Sequence, residues 1–188
     1  MQTLAISSST RQRSIAVDVA LAAAIGLVAA LAKRYLDFSL GIPGHAGVGW
    51  IAVLVSGRLL NGRIGMATIS GLAMGASALP VGLGHSLGYN LLLYGLAGAL
   101  LDSGVLVRLP LNRAWGAALA GMIVHVAKYG FIFANAWVSD ILRRVEIFGF
   151  LGALFNHVIF GAAGGLMGWV LWRGGGRLRA RLRQRLAA

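Results

Sequence analysis

The chain has 188 residues, of which 58% are hydrophobic, 12% are charged and 28 are glycine. This composition is typical of a membrane protein and excludes a disordered chain, and the absence of cysteine excludes a disulfide framework. Because a membrane span needs about 20 apolar residues, a chain of this length can cross a bilayer roughly six times, which leaves no room for a soluble domain. The net charge of +12 would suggest nucleic-acid binding in a soluble protein. The positions of these charges along the chain instead indicate membrane topology.

Charges, prolines and glycine clusters divide the chain into six apolar stretches, each predicted to be a transmembrane helix. They cover residues 15–32, 46–60, 64–82, 86–107, 114–138 and 147–172. The second stretch is the weakest, because it is short and Arg58 falls in its last turn, so a five-span arrangement is the alternative. We predict an all-α, polytopic membrane protein, with one compact six-helix domain over residues 1–172 and a basic cytoplasmic tail over residues 173–188.

The positions of the basic residues favour six spans. With the N-terminus inside, twelve Lys and Arg residues fall in cytoplasmic segments, whereas the outer loops hold four, together with three acids. This is the positive-inside pattern. Removing the second span would put the N-terminus and the arginine-rich tail on opposite sides, so both termini are predicted to be cytoplasmic. The predicted location is the bacterial cytoplasmic (inner) membrane.

The tail begins with Gly174 to Gly176 and continues as RLRARLRQRL. Its leucines recur at every fourth residue between arginines, which is typical of a short helix lying on an anionic inner leaflet. A solvated topology anchor is the alternative. No aromatic residues are interleaved with the arginines, so membrane lipid is a predicted partner and nucleic acid is not.

Rows of small residues mark where helices can approach closely in lipid. The third span carries Ala67, Gly71 and Gly75, and the sixth carries the pairs Gly161 and Gly165, and Gly164 and Gly168. These rows are expected to pack within the protein's own bundle. The first span has two adjacent rows, formed by Ala16, Ala20 and Ala24 and by Ala22, Gly26 and Ala30. Together they are wider than one neighbouring helix needs, so one row is predicted to receive a partner protein.

Polar side chains inside the spans are site candidates, because burying them in a bilayer is costly. In the six-span topology they gather in the outer half of the bundle, and the inner half has no comparable collection. They are His125, Lys128, Tyr129 and Asn135 in span five, Tyr89 and Asn90 in span four, Asn156 and His157 in span six, and Trp50 at the entrance of span two. The four residues of span five are predicted to share one helix face. The whole set is predicted to line a cavity that is open to the outside and binds a small solute.

Lys128 is the most informative of these residues, because an ammonium group at this depth must meet an anion, snorkel to water or lose its proton. A carboxylate on the ligand is the functional interpretation, and snorkelling is the alternative. The histidines could instead ligate a borderline metal, for which His45 and His85 are the candidates. The chain has no recognisable catalytic motif, ATP site or pair of membrane carboxylates, so we predict a non-enzyme without a cofactor.

Six predicted helices in 188 residues, the Ala16, Ala20 and Ala24 row and an outward polar cavity together resemble the S components of energy-coupling factor transporters. These are small membrane subunits that bind the transported substrate. The resemblance implies a transmembrane T subunit and two ATPase subunits as partners, with the T subunit docking on that alanine row. It also implies that uptake energy comes from the partners, since this chain carries no ATP site.

The segment 44–98, with GHAG and LGHSLGYNLLLYGLAG, looks like the core of the cobalt and nickel branch of that family. His45, Leu87, Gly88 and Asn90 are the matching positions. That branch begins Met-His, whereas this chain begins Met1-Gln2-Thr3, and Lys128 would repel a metal cation. The vitamin branches fit the lysine better.

The expected function is therefore the capture of a carboxylate-bearing vitamin from outside, with residues 34–47 and 80–84 as lids. Three alternatives remain open at this stage: a cobalt or nickel S component, an assembly subunit that binds nothing small, and an intramembrane enzyme acting on a lipid substrate. The enzyme would hold a metal through His85, His125 and His157.

Overall fold

The computed structural model describes residues 2–36, 42–103, 108–138 and 147–186, with the side chains of 15–36, 42–103, 108–135 and 149–177. Helices are the only regular elements in these ranges, which confirms the all-α class. They are α1 (Gln2–Tyr35), α2 (Gly47–Asn61), α3 (Met66–Ala78), α4 (Leu87–Asp102), α5 (Ala114–Val138) and α6 (Ile147–Leu186). Each predicted span corresponds to one helix.

Three segments are long and apolar enough to cross a bilayer, namely 15–35 in α1, 114–135 in α5 and 149–177 in α6. The other three helices have 15, 13 and 16 residues. At 1.5 Å per residue they extend only about 20–24 Å, against a hydrocarbon core of about 30 Å. Large apolar side chains lie exposed along the long helices, among them Val17, Leu119 and Phe155. A soluble protein rarely exposes this much apolar surface, so the fold indicates a membrane protein.

The helix with the weakest sequence signal, α2, lies at the centre of the bundle and packs against all five others. Its side chains Trp50, Ile51, Leu54 and Val55 are at most 1% exposed. A helix enclosed by protein needs neither a lipid-facing surface nor the full length of a span.

Small residues set the closest helix contacts. A methyl group at Gly71 or Gly75 of α3 would overlap the backbone of α4 at Tyr94 or Asn90. On α6, Gly161 and Gly165 lie against the backbone of α5, while Gly164 and Gly168 lie against α2. The expectation that these rows pack within the bundle is confirmed, and the two rows of α6 serve two different neighbours.

The two small rows of α1 have different surroundings. Ala22, Gly26 and Ala30 are buried, and Gly26 lies against the backbone of α3 at Ser70. Ala16, Ala20 and Ala24 are exposed. One row is therefore used inside the bundle, and the alanine row is not covered by the described part of this chain.

One end of the bundle, here called the basic end, holds a cluster of polar and charged side chains. The charge pattern assigns this end to the inner half, where the sequence predicted no cluster of polar side chains, so that expectation is wrong. The Nε atom of Arg58 lies 3.1 Å from a carboxylate oxygen of Asp102, and the two side chains are 8% and 6% exposed. The other oxygen of Asp102 accepts hydrogen bonds from the backbone N–H and the hydroxyl of Thr68, at 2.8 and 2.9 Å. Asp102 therefore joins the end of α4 to the first turn of α3 and the last turn of α2.

Further contacts at the basic end join α1 and α6 to the loops. Asp18 pairs with Arg63 at 2.6 Å, and its backbone carbonyl accepts from the amide of Asn61 at 3.1 Å. The indole N–H of Trp169 donates to the carbonyl of Asn112 at 2.7 Å. The contacts at this end thus involve α1, α2 and α6 and the segments that follow α2 and precede α5.

The tail differs from the expectation. Helix α6 continues through Gly174 to Gly176 and ends at Leu186, so the short helix predicted after a glycine break is not a separate element. Glycine inside a helix costs about 1 kcal/mol relative to alanine, which weakens a long helix without ending it. The side chains after Arg177 lie outside the described residues.

Candidate functional site

A cavity of about 250 Å³ lies at the end of the bundle opposite the basic end, between α1, α4, α5 and the loop that joins α3 to α4. Its wall is formed by Lys33, Leu83, Gly84, His85, Leu93, Tyr94, Lys128 and Ile132. Two ammonium groups and an imidazole thus meet apolar side chains, and no acid belongs to the described wall. Pockets for drug-sized ligands are usually larger, about 300–1,000 Å³, so this cavity suits a small molecule.

The loop between α3 and α4 brings His85 to the cavity. Gly82 has a φ of +82°, which a residue with a side chain rarely adopts, and the next residue returns a hydrogen bond to the carbonyl of Ala78 at 2.8 Å. Ser86 then caps α4 by accepting from the backbone N–H of Tyr89 at 3.3 Å. The turn and the cap together fix the position of the loop against the cavity.

Lys128 lies at the wall against two aromatic rings. Its Nζ atom is 5.2 Å from the ring centre of Trp50 and 5.9 Å from that of Tyr94. The two rings contact each other edge to face at 5.6 Å, and they are 0% and 3% exposed. A cation over an aromatic face is attracted by the ring. The two rings therefore help to position the Lys128 ammonium group at the cavity wall.

Two histidines form a separate cluster beside the cavity. His125 and His157 are 1% and 7% exposed, and their rings lie 4.5 Å apart. The Nδ1–H of His125 donates to the carbonyl of His157 at 3.2 Å, and the Nδ1–H of His157 donates to the carbonyl of Ala153 at 2.7 Å. A carbonyl can only accept, so these contacts assign the hydrogen of each ring to Nδ1. The hydrogen bond of His125 thus joins α5 to α6, whereas that of His157 lies within α6.

Glycines and a tyrosine complete the histidine cluster. A methyl group at Gly47, in the first turn of α2, would overlap the ring of His125. Gly44, with a φ of +89°, faces the ring of His157, where a methyl group would lie 3.1 Å from Nδ1. Tyr129 stacks 4.5 Å from His157 and donates its hydroxyl hydrogen to the carbonyl of Phe150 at 3.3 Å. The start of α2 therefore packs directly over the histidines of α5 and α6.

Asn90 and Tyr89 both contact His85, which lines the cavity. Asn90 is fully buried and donates from Nδ2 to the carbonyl of His85 at 3.0 Å. Its Oδ1 atom has no hydrogen-bond partner among the described residues, and the same holds for the indole N–H of Trp50. The ring of Tyr89 packs 4.7 Å from that of His85 and 5.4 Å from that of Phe131. These two residues support the wall from behind.

The residues of span five that were predicted to share a face meet three neighbouring helices. His125 and Tyr129 contact His157 of α6, His125 and Lys128 both contact Trp50 of α2, and Lys128 also contacts Tyr94 of α4. Of the predicted substrate-binding residues, Lys128 lines the cavity, and Trp50, Tyr89 and Asn90 lie behind the wall. Asn156 is half-buried and Asn135 is exposed, and neither belongs to the wall.

Lys33 is a wall residue that the sequence did not indicate. It lies in the last turn of α1, where the charge pattern assigned it to an outer loop. The signal that could have found it is its position at a helix end on the same side as Lys128. His85, expected as a metal candidate, is part of the cavity wall instead.

The metal predictions lack a site in the described residues, where no three His, Cys, Asp or Glu side chains come together. The proposed metal site of His85, His125 and His157 is therefore not formed. The ring of His45 packs 6.5 Å from that of Phe160, and that of His85 packs on Tyr89. The two metal candidates thus contact different aromatic rings.

Comparison of the chain with protein-family models, with characterised proteins and with solved structures finds no match. The chemistry of the cavity is thus the basis for a functional assignment. A wall that holds two cationic side chains, an imidazole and several apolar side chains can bind an anionic group and cover an uncharged remainder.

Proposed function

We propose that this protein is the substrate-capture subunit of an uptake transporter of the energy-coupling factor type, and that it binds a small, water-soluble, carboxylate-bearing micronutrient from outside the cell. The observation that carries the proposal is the ammonium group of Lys128, held at the cavity wall by Trp50 and Tyr94. A carboxylate that meets this group gains a charge-assisted hydrogen bond. Leu93 and Ile132 would contact the apolar part of the ligand.

The side of entry follows from the charges at the two ends. The basic end carries Arg58, Arg63, Arg113 and Arg173, and the positive-inside rule assigns such an end to the cytoplasm. The cavity then faces outward. The buried ion pair of Arg58 with Asp102 holds three helices together at the inner side, which favours capture from outside over passage through the bundle.

The charge of the cavity argues against the metal alternatives. Lys33 and Lys128 would repel a cobalt or nickel ion, and the described residues contain no three-ligand cluster that could hold one. An intramembrane enzyme that depends on a metal would need the same kind of cluster. Capture of an organic anion needs only the groups that line the cavity.

We assign the energy supply for uptake and the inward release of the substrate to partner subunits. The chain has no phosphate-binding motif, so ATP hydrolysis would be supplied by the ATPase subunits, with the T subunit as the transmembrane contact. The exposed row of Ala16, Ala20 and Ala24 on α1 is the proposed docking surface, because small residues allow close helix approach in lipid. Inward release would follow from reorientation of the bundle against the T subunit.

The test is to identify what the protein carries. The full chain is purified in mild detergent, and the small molecules that copurify are extracted and measured by mass spectrometry. We expect a carboxylate in the wild-type protein, reduced roughly 10- to 100-fold in Lys128→Gln because a hydrogen bond to a charged group is lost. Lys128→Arg should retain part of it.

Arg113→Gln is the matched control, because it removes one exposed positive charge from the basic end. It should leave the bound carboxylate unchanged. Equal retention by wild type and Lys128→Gln, in samples of equal monodispersity, would overturn the proposal.

A further inference from the structure

We infer, on the basis of the proposed function, that His85 determines the specificity of the cavity by hydrogen bonding to a second polar group of the ligand. The substrate class is then a small carboxylate that also carries a hydroxyl or a comparable hydrogen-bonding group. The inference rests on an imidazole at the cavity wall whose ring nitrogens have no hydrogen-bond partner among the described residues.

His85 offers the cavity its side chain rather than its backbone. Its backbone N–H donates to the carbonyl of Leu83 at 2.9 Å, and its carbonyl accepts from Nδ2 of Asn90 at 3.0 Å. Both backbone groups are therefore already hydrogen-bonded. The residue is exposed at the wall, and its ring packs on that of Tyr89 at 4.7 Å. The imidazole is thus the part of His85 that a solute in the cavity can bind.

The protein fixes the position of this imidazole before a ligand arrives. The loop that carries it is tied to α3, because the backbone N–H of Val81 donates to the carbonyl of Ser77 at 3.1 Å. Asn90 is fully buried in α4, so its hydrogen bond to the carbonyl of His85 ties the same loop to α4. A binding group held in this way loses little freedom when it meets a ligand, which favours tight and selective binding.

The chemistry of imidazole indicates the kind of ligand group that His85 would meet. A neutral imidazole has one nitrogen that donates and one that accepts, and a hydroxyl can do either, so a hydroxyl can pair with whichever nitrogen faces it. Leu83, Leu93 and Ile132, which share the wall, have no hydrogen-bonding side chain. An apolar ligand group against His85 would remove water from the ring without replacing its hydrogen bonds, which weakens binding. A polar group on the ligand avoids this loss.

The experiment compares carboxylates of the same shape, in which a methyl group replaces a hydroxyl. The purified full chain, stripped of copurified ligand and reconstituted in nanodiscs, is titrated calorimetrically with three pairs that differ in the spacing between carboxylate and hydroxyl. They are β-hydroxybutyrate against isovalerate, γ-hydroxybutyrate against valerate, and δ-hydroxyvalerate against caproate. We expect the hydroxy acid of at least one pair to bind roughly 3- to 10-fold more tightly, which is the effect of one net hydrogen bond.

Two substitutions of His85 assign this preference. His85→Phe keeps a ring against Tyr89 but cannot form the hydrogen bond, so the methyl acid of the preferred pair should bind at least as tightly as the hydroxy acid. His85→Gln keeps a hydrogen-bonding group and should retain part of the preference. A variant that only disturbed the fold would weaken both acids of a pair together, and the elution profile of each variant verifies its fold.

His45→Phe is the matched control, because it removes a half-buried imidazole that does not belong to the described wall. It should leave both affinities of the preferred pair unchanged. Lys128→Gln should instead weaken both acids of every pair, since each carries the carboxylate that Lys128 is proposed to bind.

The outcomes separate this inference from the proposed function. Equal affinities within every pair, with all of them dependent on Lys128, would overturn the recognition of a second polar group and leave carboxylate capture in place. A preference for the hydroxy acid that survives His85→Phe would overturn the role of His85. Absence of any binding that depends on Lys128 in all three pairs would overturn the proposed function itself.

Discussion

The side chains of Arg58 and Asp102 form an ion pair at 3.1 Å while they are only 8% and 6% exposed. A charged pair at this depth needs additional hydrogen bonds to offset its desolvation, and Asp102 receives two of them from Thr68. The pair connects α2, α3 and α4 at the end of the bundle opposite the cavity. It therefore stabilises the scaffold that positions the cavity.

Asp102→Asn is expected to lower stability strongly, because Arg58 would remain buried without its counter-ion. Loss of one partner of a buried pair typically costs about 3–5 kcal/mol. The measurement is thermal unfolding of the detergent-solubilised protein, followed by the loss of the monodisperse peak. Asp18→Asn is the matched control, since the Asp18 and Arg63 side chains are 26% and 46% exposed and such pairs contribute about 0–1 kcal/mol. Equal losses in the two variants would contradict the importance of burial.

Gly47→Ala is expected to disturb the histidine cluster. A methyl group at this position would overlap the ring of His125, and relieving such overpacking typically costs about 1–3 kcal/mol. Gly88→Ala is the control, because a methyl group there would meet no atom within 4 Å and alanine favours helix. Thermal unfolding should separate the two variants. A stable Gly47→Ala protein would show that the start of α2 does not pack on His125 as described.

Tyr94→Leu is expected to weaken binding of an anionic ligand, because one of the two rings that hold the Lys128 ammonium would be lost. Cation–π contacts contribute about 0.5–2 kcal/mol, which corresponds to a loss of affinity of roughly 2- to 30-fold. Tyr94→Phe keeps the ring and should retain more of the affinity than Tyr94→Leu. Calorimetric titration with the same carboxylate distinguishes them. Identical affinities in the two variants would exclude a role for the ring.

A larger side chain is expected to have opposite effects in the two rows of small residues on α1. Gly26→Leu should destabilise the isolated protein, because the position is buried against the backbone of α3. Ala20→Leu should leave the isolated protein stable, since Ala20 is exposed, while it weakens retention of a T subunit. Thermal unfolding and copurification with coexpressed partner subunits provide the two measurements. An Ala20→Leu protein that retains its partners fully would remove the docking role of this row.

The sequence by itself determined the elements of this fold. The lengths of apolar stretches and the positions of charges are local properties, and they predicted all six helices within a few residues at most ends. Spacing also predicted that Gly71 and Gly75 of α3 and the glycines of α6 pack inside the bundle. A row of small residues allows close approach of a neighbouring helix, whichever helix that neighbour is. The importance of Lys128 followed from the cost of a charge among apolar residues.

Only the tertiary structure decided how the helices rotate and which one lies at the centre. The short α2, the weakest span in the sequence, is enclosed by the other five, and Arg58 within it meets Asp102 of α4. Lys33 joins Lys128 at one cavity, while Tyr129, one residue further along α5, packs on His157 instead. Such contacts depend on the angle at which each helix faces its neighbours, and that angle is set by packing across the whole bundle rather than by any local pattern.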